Sequence, residues 1–270
     1  MRTGLKTLTA LLVSAAVSIV PAFSAAAAED LTMHKIASYE SGEYNVDGGV
    51  MEIIAYNKAT KYAYSVNGQS GVLTALDLSV LSSNGLDIDL TGRDIDIRTL
   101  VEEEDPSFRY GDMTSVAVSP DGAYLALALQ AEAYNERGRI AVFTCSEDGS
   151  LTLEGLIESG VQPDMVVFAD NSTVLTADEG EPREGYGEGV EDPAGTVTIA
   201  DISSMTSVLA GFEAFDTEAA RDELTSQGVL IMKGSLPSAD FEPEYIAVSG
   251  DKAYVTLQEA NAVAVLDIPR

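Results

Sequence analysis

The chain of 270 residues is 46% hydrophobic and carries a formal net charge of −29 at pH 7. This hydrophobic content is sufficient for a substantial core and argues against a disordered chain. The negative charge argues against binding of nucleic acid or of an anionic membrane. Because Cys145 is the only cysteine, an intramolecular disulfide and a cysteine-based zinc site are both excluded.

Residues 1–28 have the pattern of a secretory signal peptide. Arg2 and Lys6 form a basic start, residues 8–20 are apolar, and Ala26-Ala27-Ala28 offers a small-residue cleavage site. A run of about 13 apolar residues is too short to span a bilayer as a helix. We therefore predict export to the periplasm, the medium or the surface of a bacterium, with no transmembrane segment after cleavage.

From residue 51 onward, one pattern of short strands occurs four times. Each copy begins with an apolar strand, passes through a turn to a second strand, and reaches a third strand after a loop. The predicted first strands are 51–56, 114–118, 164–168 and 244–248. The predicted fourth strands are 86–90 or 94–100, 151–157 and 207–210.

Repeated four-stranded antiparallel units form the blades of a β-propeller, whereas a β-sandwich needs no such repeat. We predict an all-β, incomplete propeller over 29–270, with blades near 49–110, 111–160, 161–211 and 243–270. The last copy ends after its third strand, so we expect its outer strand and further blades to be missing. Residues 212–242 form an insertion, with a short helix near 216–224 capped by Asp216 or Thr217.

Acidic residues recur at equivalent positions of the copies, although the second copy has Thr114 where the others have an acid. The strand openings carry Glu52, Asp164 and Glu244, and the loops after the second strands carry Glu179 and Glu259. Both positions lie at the same end of a propeller channel. Since calcium accepts six to eight oxygen ligands with flexible geometry, this register predicts a calcium site at the channel mouth. The alternative is that each acid merely ends a strand in solvent.

A long acidic, glycine-rich loop joins two strands of the third copy over residues 178–193. Long loops within a compact repeat are often functional. Glu179, Glu181, Glu191 and Asp192 are candidate calcium ligands, and a mobile acidic flap is the equal alternative. The set of metal ligands that we predict is Glu52, Asp164, Glu179, Glu181, Glu244 and Glu259.

Nucleophilic catalysis has little support in the sequence. His34 is the only histidine, and it precedes the first copy, away from any candidate serine. No phosphate-binding loop, dinucleotide fingerprint or histidine-based metal motif occurs. We predict no catalytic residue, and an enzyme built on this chain would need carboxylate-bound metal ions.

Several phrases of this sequence resemble the choice-of-anchor I family of exported bacterial proteins. They are Gly48-Gly49, Pro163-Asp164-Met165-Val166, Asp178-Glu179-Gly180-Glu181-Pro182, Glu242-Pro243-Glu244-Tyr245 and Ala253-Tyr254-Val255-Thr256. The family is similar to YVTN-type and WD-repeat propellers, and members often carry one of several surface anchors. The resemblance implies a surface binding or scaffold module whose extracellular ligand or surface partner is unknown.

The resemblance also implies an alternative function, because some relatives are labelled alkaline phosphatase and others mesenchyme-specific cell-surface glycoprotein. In a metal-dependent phosphoesterase, Glu179, Glu181, Glu244 and Glu259 would bind the ions. The strong negative charge opposes an anionic substrate unless metal ions offset it locally.

Overall fold

The computed structural model describes residues 34–44, 46, 50–68, 70–81, 88–183, 185, 189–232 and 234–268. Residues 36–270 form one unit, and the predicted signal peptide lies outside the described residues. Within the described ranges, no helix has the length and apolar character needed to cross a membrane.

The first part of the chain forms a four-stranded sheet and a helix. Its elements are β1 (Ala37–Ser38), β2 (Ile54–Asn57), β3 (Tyr62–Asn67), β4 (Val72–Asp77), β5 (Ile88–Asp89), β6 (Gly92–Asp96) and α1 (Ile97–Glu104). Sheet 1 has the antiparallel order β2-β3-β4-β6, while β1 and β5 pair in parallel beside it.

The predicted fourth strand over 94–100 is wrong in its second half, where α1 begins. Asp96 caps this helix, because its Oδ1 accepts a hydrogen bond from the Thr99 N–H at 2.9 Å. Ile97 and Val101 are one turn apart and both fully buried, so the helix covers the core with one face.

Three further antiparallel sheets follow, each with its strands in sequence order. Sheet 2 contains β7 (Tyr110–Val118), β8 (Tyr124–Ala131), β9 (Arg137–Cys145) and β10 (Leu151–Val161). Sheet 3 contains β11 (Pro163–Phe168), β12 (Thr173–Asp178), β13 (Thr196–Asp201) and β14 (Thr206–Gly211). Sheet 4 contains, in the described part of the chain, β15 (Pro243–Ser249), β16 (Lys252–Leu257) and β17 (Ala262–Asp267).

A separate hydrophobic cluster fills each space between consecutive sheets. Tyr64 of sheet 1 packs with Leu125 of sheet 2, and Ile140 of sheet 2 packs with Val174 of sheet 3. A third cluster lies between sheets 3 and 4. Because every sheet buries a face against its neighbour, the sheets are the blades of a β-propeller, as the repeats predicted.

The insertion between sheets 3 and 4 contains a 3₁₀ turn (Glu213–Phe215), helix α2 (Glu218–Ser226) and helix α3 (Pro237–Asp240). The predicted short helix is therefore present. Thr217 is its cap, since Thr217 Oγ1 accepts from the Ala220 N–H at 3.2 Å. Asp216 has another role, because its carboxylate accepts hydrogen bonds from the N–H and hydroxyl of Ser238 at 2.9 and 2.8 Å.

Candidate functional site

The candidate site lies at the end of the sheets where first strands begin and second strands finish. The antiparallel register pairs Pro163 with Asp178 in sheet 3 and Pro243 with Leu257 in sheet 4. The residues that follow these pairs therefore lie at one end of the propeller. We call the acidic side chains gathered there the acidic mouth: Glu52, Asp112, Asp164, Glu179, Glu181, Glu244 and Glu259.

A β-bulge lies at the start of the first strand in sheets 2, 3 and 4. The pairing register shifts between Met113 and Ser115, between Pro163 and Met165, and between Pro243 and Ile246. The residues at these shifts include Thr114, Asp164 and Glu244, which the sequence aligned. A bulge redirects the side chain of its extra residue. The repeated bulge therefore explains why the aligned acids do not follow the regular alternation of side chains along the strand.

Asp112 supplies the carboxylate of sheet 2, where the sequence alignment offered only Thr114. Thr114 instead donates its hydroxyl to the Pro163 carbonyl at 2.7 Å, which ties sheet 2 to sheet 3. Asp112, Glu52 and Asp164 line a cavity of about 250 Å³ together with Arg183. This part of the mouth therefore combines carboxylates from three sheets with one guanidinium group.

Burial raises the pKa of the Asp112 carboxyl and of the Asp164 carboxyl. The neighbouring negative charge of Glu52 acts in the same direction on both, while Arg183 opposes it. Acids that lie close together in a partly desolvated place mark a candidate functional site.

The other predicted ligands form a second group on the side of sheets 3 and 4. Burial, followed by the charges of Asp164 and Glu181, raises the pKa of Glu179 to about 7. The pKa of Glu244 is raised by burial and by the charge of Glu259, with which it shares a hydrogen bond. The structure thus brings all six predicted ligands to one mouth, in two adjacent groups.

Arg183 is the main residue of the mouth that sequence reasoning missed. Its Nε donates to Gln162 Oε1 and its Nη2 donates to Gln130 Oε1, each at 3.0 Å. Its Nε also lies 3.8 Å from a carboxylate oxygen of Glu181. Gln162 is itself fixed, because its amide donates to the carbonyls of Tyr134 and Glu181 at 2.8 and 2.6 Å. Two buried glutamines therefore direct one arginine toward the acids.

Asp178, next to Glu179 in sequence, is fully buried beneath the mouth. Its carboxylate accepts hydrogen bonds from Thr176 and Thr198, both at 2.6 Å, and from Thr196 at 2.9 Å. Burial raises its pKa to about 6, although these three hydroxyls lower it. Thr198 also accepts from the Gly160 N–H of sheet 2 at 3.0 Å, so this cluster connects sheets 2 and 3.

The other two candidate ligands of the long loop, Glu191 and Asp192, have partners outside the acidic mouth. Glu191 accepts from the Asn135 amide at 2.6 Å, and burial together with the charge of Asp240 raises the pKa of Asp192. Within the described ranges, no three His, Cys, Asp or Glu side chains are arranged as a metal-binding group. Burial raises the pKa of the Cys145 thiol to about 11, so this thiol stays protonated at neutral pH.

The family model of the choice-of-anchor I domain matches residues 52–270, which is most of the chain. The chain belongs to the choice-of-anchor I family. The match includes all four sheets and every residue of the acidic mouth. No curated protein shows significant similarity to this family member.

Solved structures are similar to this choice-of-anchor I chain at low identity. A Lactobacillus plantarum protein is 18% identical with a TM-score of 0.41, over 59% of this chain and 40% of its own. The periplasmic gluconolactonase PpgL of Pseudomonas aeruginosa is 16% identical with a TM-score of 0.44, over 80% and 53%. The Cps50 (Swd1) propeller of Myceliophteria thermophila is 11% identical with a TM-score of 0.45, over 81% and 51%. The chain thus spans about half or less of the length of these proteins.

Proposed function

We propose that this choice-of-anchor I protein is an exported propeller that acts as a surface or periplasmic binding module, stabilised by calcium at its acidic mouth. The observation that supports this proposal is the convergence of carboxylates from all four sheets at one end. Carboxylate oxygens are the ligands that calcium prefers, and calcium tolerates the irregular spacing that separate blades give. The apolar start of the chain, residues 8–20, supports export.

The pair Glu244 and Glu259 differs from the other acids of the mouth in its need for a cation. Arg183 lowers the pKa of Asp112, Asp164 and Glu179, and it lies 3.8 Å from a carboxylate oxygen of Glu181. Glu244 and Glu259 share a hydrogen bond, and when both carboxyls are ionised their negative charges repel each other. We therefore propose that calcium binds at Glu244 and Glu259. Because the described acids are not arranged as a metal-binding group, Glu179 and Glu181 would become further ligands only by reorienting toward the ion. The alternative of a metal-dependent phosphoesterase gains no support from this arrangement.

Calcium is expected to raise the melting temperature of the purified protein. Extracellular calcium modules have dissociation constants of about 10⁻⁴ to 10⁻³ M. At 10 mM calcium such a site adds about 1.4 to 2.7 kcal/mol, or roughly 3 to 11 °C for a domain of this size. Thermal unfolding followed by circular dichroism, in chelator-treated buffer at pH 7.5, measures the shift.

Two double variants remove the same amount of negative charge, one within the acidic mouth and one, as the matched control, outside it. Glu244→Gln with Glu259→Gln is expected to abolish the calcium shift. Glu147→Gln with Glu154→Gln changes two exposed acids outside the mouth and should leave it intact. An absent shift in the unmodified protein, or an equal shift in both double variants, would contradict the calcium site.

A further inference from the structure

A cavity of about 710 Å³ lies beside the acidic mouth, between helix α1, the start of β7 and the β8–β9 hairpin. Its lining includes three arginines, Arg98, Arg109 and Arg183. The lining also includes three acids, Glu102, Asp112 and Glu132, so the numbers of basic and acidic residues balance here, whereas the whole chain has 15 basic residues against 44 acidic ones. The volume is in the range of small-molecule sites.

Gln130 lines this cavity and carries an unsatisfied donor. Its side chain is 4% exposed, and its Oε1 accepts from Arg183 Nη2 at 3.0 Å. Because arginine only donates, this contact fixes which end of the amide is oxygen and which is nitrogen. The buried Nε2 has no hydrogen-bond partner within the described structure. Buried polar groups are rarely left unpaired, so the position of Nε2 calls for an acceptor.

The arginines at the cavity are held in place by neighbouring groups. The Arg98 guanidinium stacks over the Tyr110 ring at 4.9 Å, and the Tyr110 hydroxyl donates to the Gly68 carbonyl at 2.7 Å. Arg183 is held by the two glutamines already described. Guanidinium groups oriented in advance bind carboxylates and phosphates with little further loss of side-chain entropy.

We propose that this cavity binds a small hydroxylated ligand through an oxyanion group, either a carboxylate or a phosphate. The guanidinium groups of Arg98 and Arg183 donate to the oxyanion, and Gln130 Nε2 adds a third donor when its side chain turns from its buried position toward the ligand. Glu102, Asp112 and Glu132 also line the cavity and accept from the ligand's hydroxyl groups. A hexuronic acid has this combination of one carboxylate and several hydroxyls. The site needs no calcium, so it goes beyond the function proposed above.

Isothermal titration calorimetry in the presence of EDTA tests the site with three probes: glucuronate, inorganic phosphate and neutral glucose. Binding of glucuronate, phosphate or both, with no binding of glucose, is the expected result, and the pattern identifies the kind of oxyanion. Absence of binding by both anions at 20 mM, or equal binding of glucose, overturns the proposal. Because calcium is chelated, the outcome is independent of the calcium site.

Two variants locate the binding. Gln130→Glu keeps the acceptor for Arg183 but replaces the donor by a second carboxylate oxygen, so affinity should fall at least tenfold. Arg98→Ala changes an exposed side chain and should give a similar loss in a folded protein. Gln227→Glu, an exposed residue of the insertion, adds the same charge and should bind normally. Unchanged affinity in both Gln130→Glu and Arg98→Ala overturns the assignment.

Discussion

Replacing Asp178 by alanine is expected to lower the free energy of unfolding by about 3 kcal/mol at pH 4, where the buried carboxyl is neutral. The substitution leaves three buried threonine hydroxyls without their acceptor, at about 1 kcal/mol or more for each lost hydrogen bond. These hydroxyls lie between sheets 2 and 3, so the loss affects the contact between two blades. Urea denaturation followed by circular dichroism measures it.

Replacement of Asp178 by asparagine separates the hydrogen bonds from the charge. Asparagine has the same size and retains one acceptor oxygen, so we expect a smaller loss of stability than with alanine. An equal loss in the two variants would show that the hydroxyl network does not need an acceptor at this position.

The same pair of proteins tests the titration of Asp178. Burial raises the pKa of this carboxyl from 3.8 to about 6 in the folded protein. The folded state thus binds the proton more tightly, and the stability that this provides is complete below pH 3.8 and lost as pH rises through 6. The loss is on the order of 3 kcal/mol.

Asparagine does not titrate, so the stability of the unmodified protein relative to Asp178→Asn should be greater at pH 4 than at pH 7. The other titrating acids are common to both proteins and largely cancel in the difference. Urea denaturation at pH 4, 5, 6 and 7 measures the difference. A value that does not change with pH would mean that Asp178 has no raised pKa.

The repeated strands could be predicted because each blade needs the same succession of apolar strands and the same turns between them. The first strand of sheet 3 and the acids at equivalent positions of the copies follow from that repetition. Helix α1 was missed because the alternating residues 94–97 are typical of a strand. Asp96 followed by Thr99 is a helix-capping pattern, and this pattern is the signal in the sequence that a helix begins after Asp96.

The acids of the mouth could be predicted from their equivalent positions in the repeats, but the arginine that lies among them, Arg183, could not. Arg183 is a single base in an acidic loop, and nothing in its local sequence distinguishes it from a solvated side chain. Its position depends on Gln130 and Gln162, which are 53 and 21 residues away in the chain. Asp112 was missed because the alignment ended at Thr114, two residues later. Interactions between blades therefore decide the parts of the site that repetition does not.

Replacing Gly195 by alanine is expected to destabilise the protein by about 3 kcal/mol, at the upper end of the usual cost of overpacking. A Cβ atom at this position would lie 2.0 Å from the Phe241 carbonyl oxygen and 2.7 Å from the Pro243 ring. The contact recurs one blade earlier, where a Cβ at Gly138 would lie 2.5 Å from the Pro163 ring. Each glycine thus lets the first strand of the next blade approach closely.

This contact also positions the acidic mouth, because Pro163 and Pro243 directly precede Asp164 and Glu244. Displacing Pro243 moves the bulge that carries Glu244, so Gly195→Ala should reduce the calcium-induced rise in melting temperature as well as the stability. Ala194→Val adds volume at the adjacent exposed residue and should change the free energy of unfolding by less than about 0.5 kcal/mol. If Gly195→Ala lowers stability but retains the full calcium shift, the glycine serves blade packing alone and does not position Glu244.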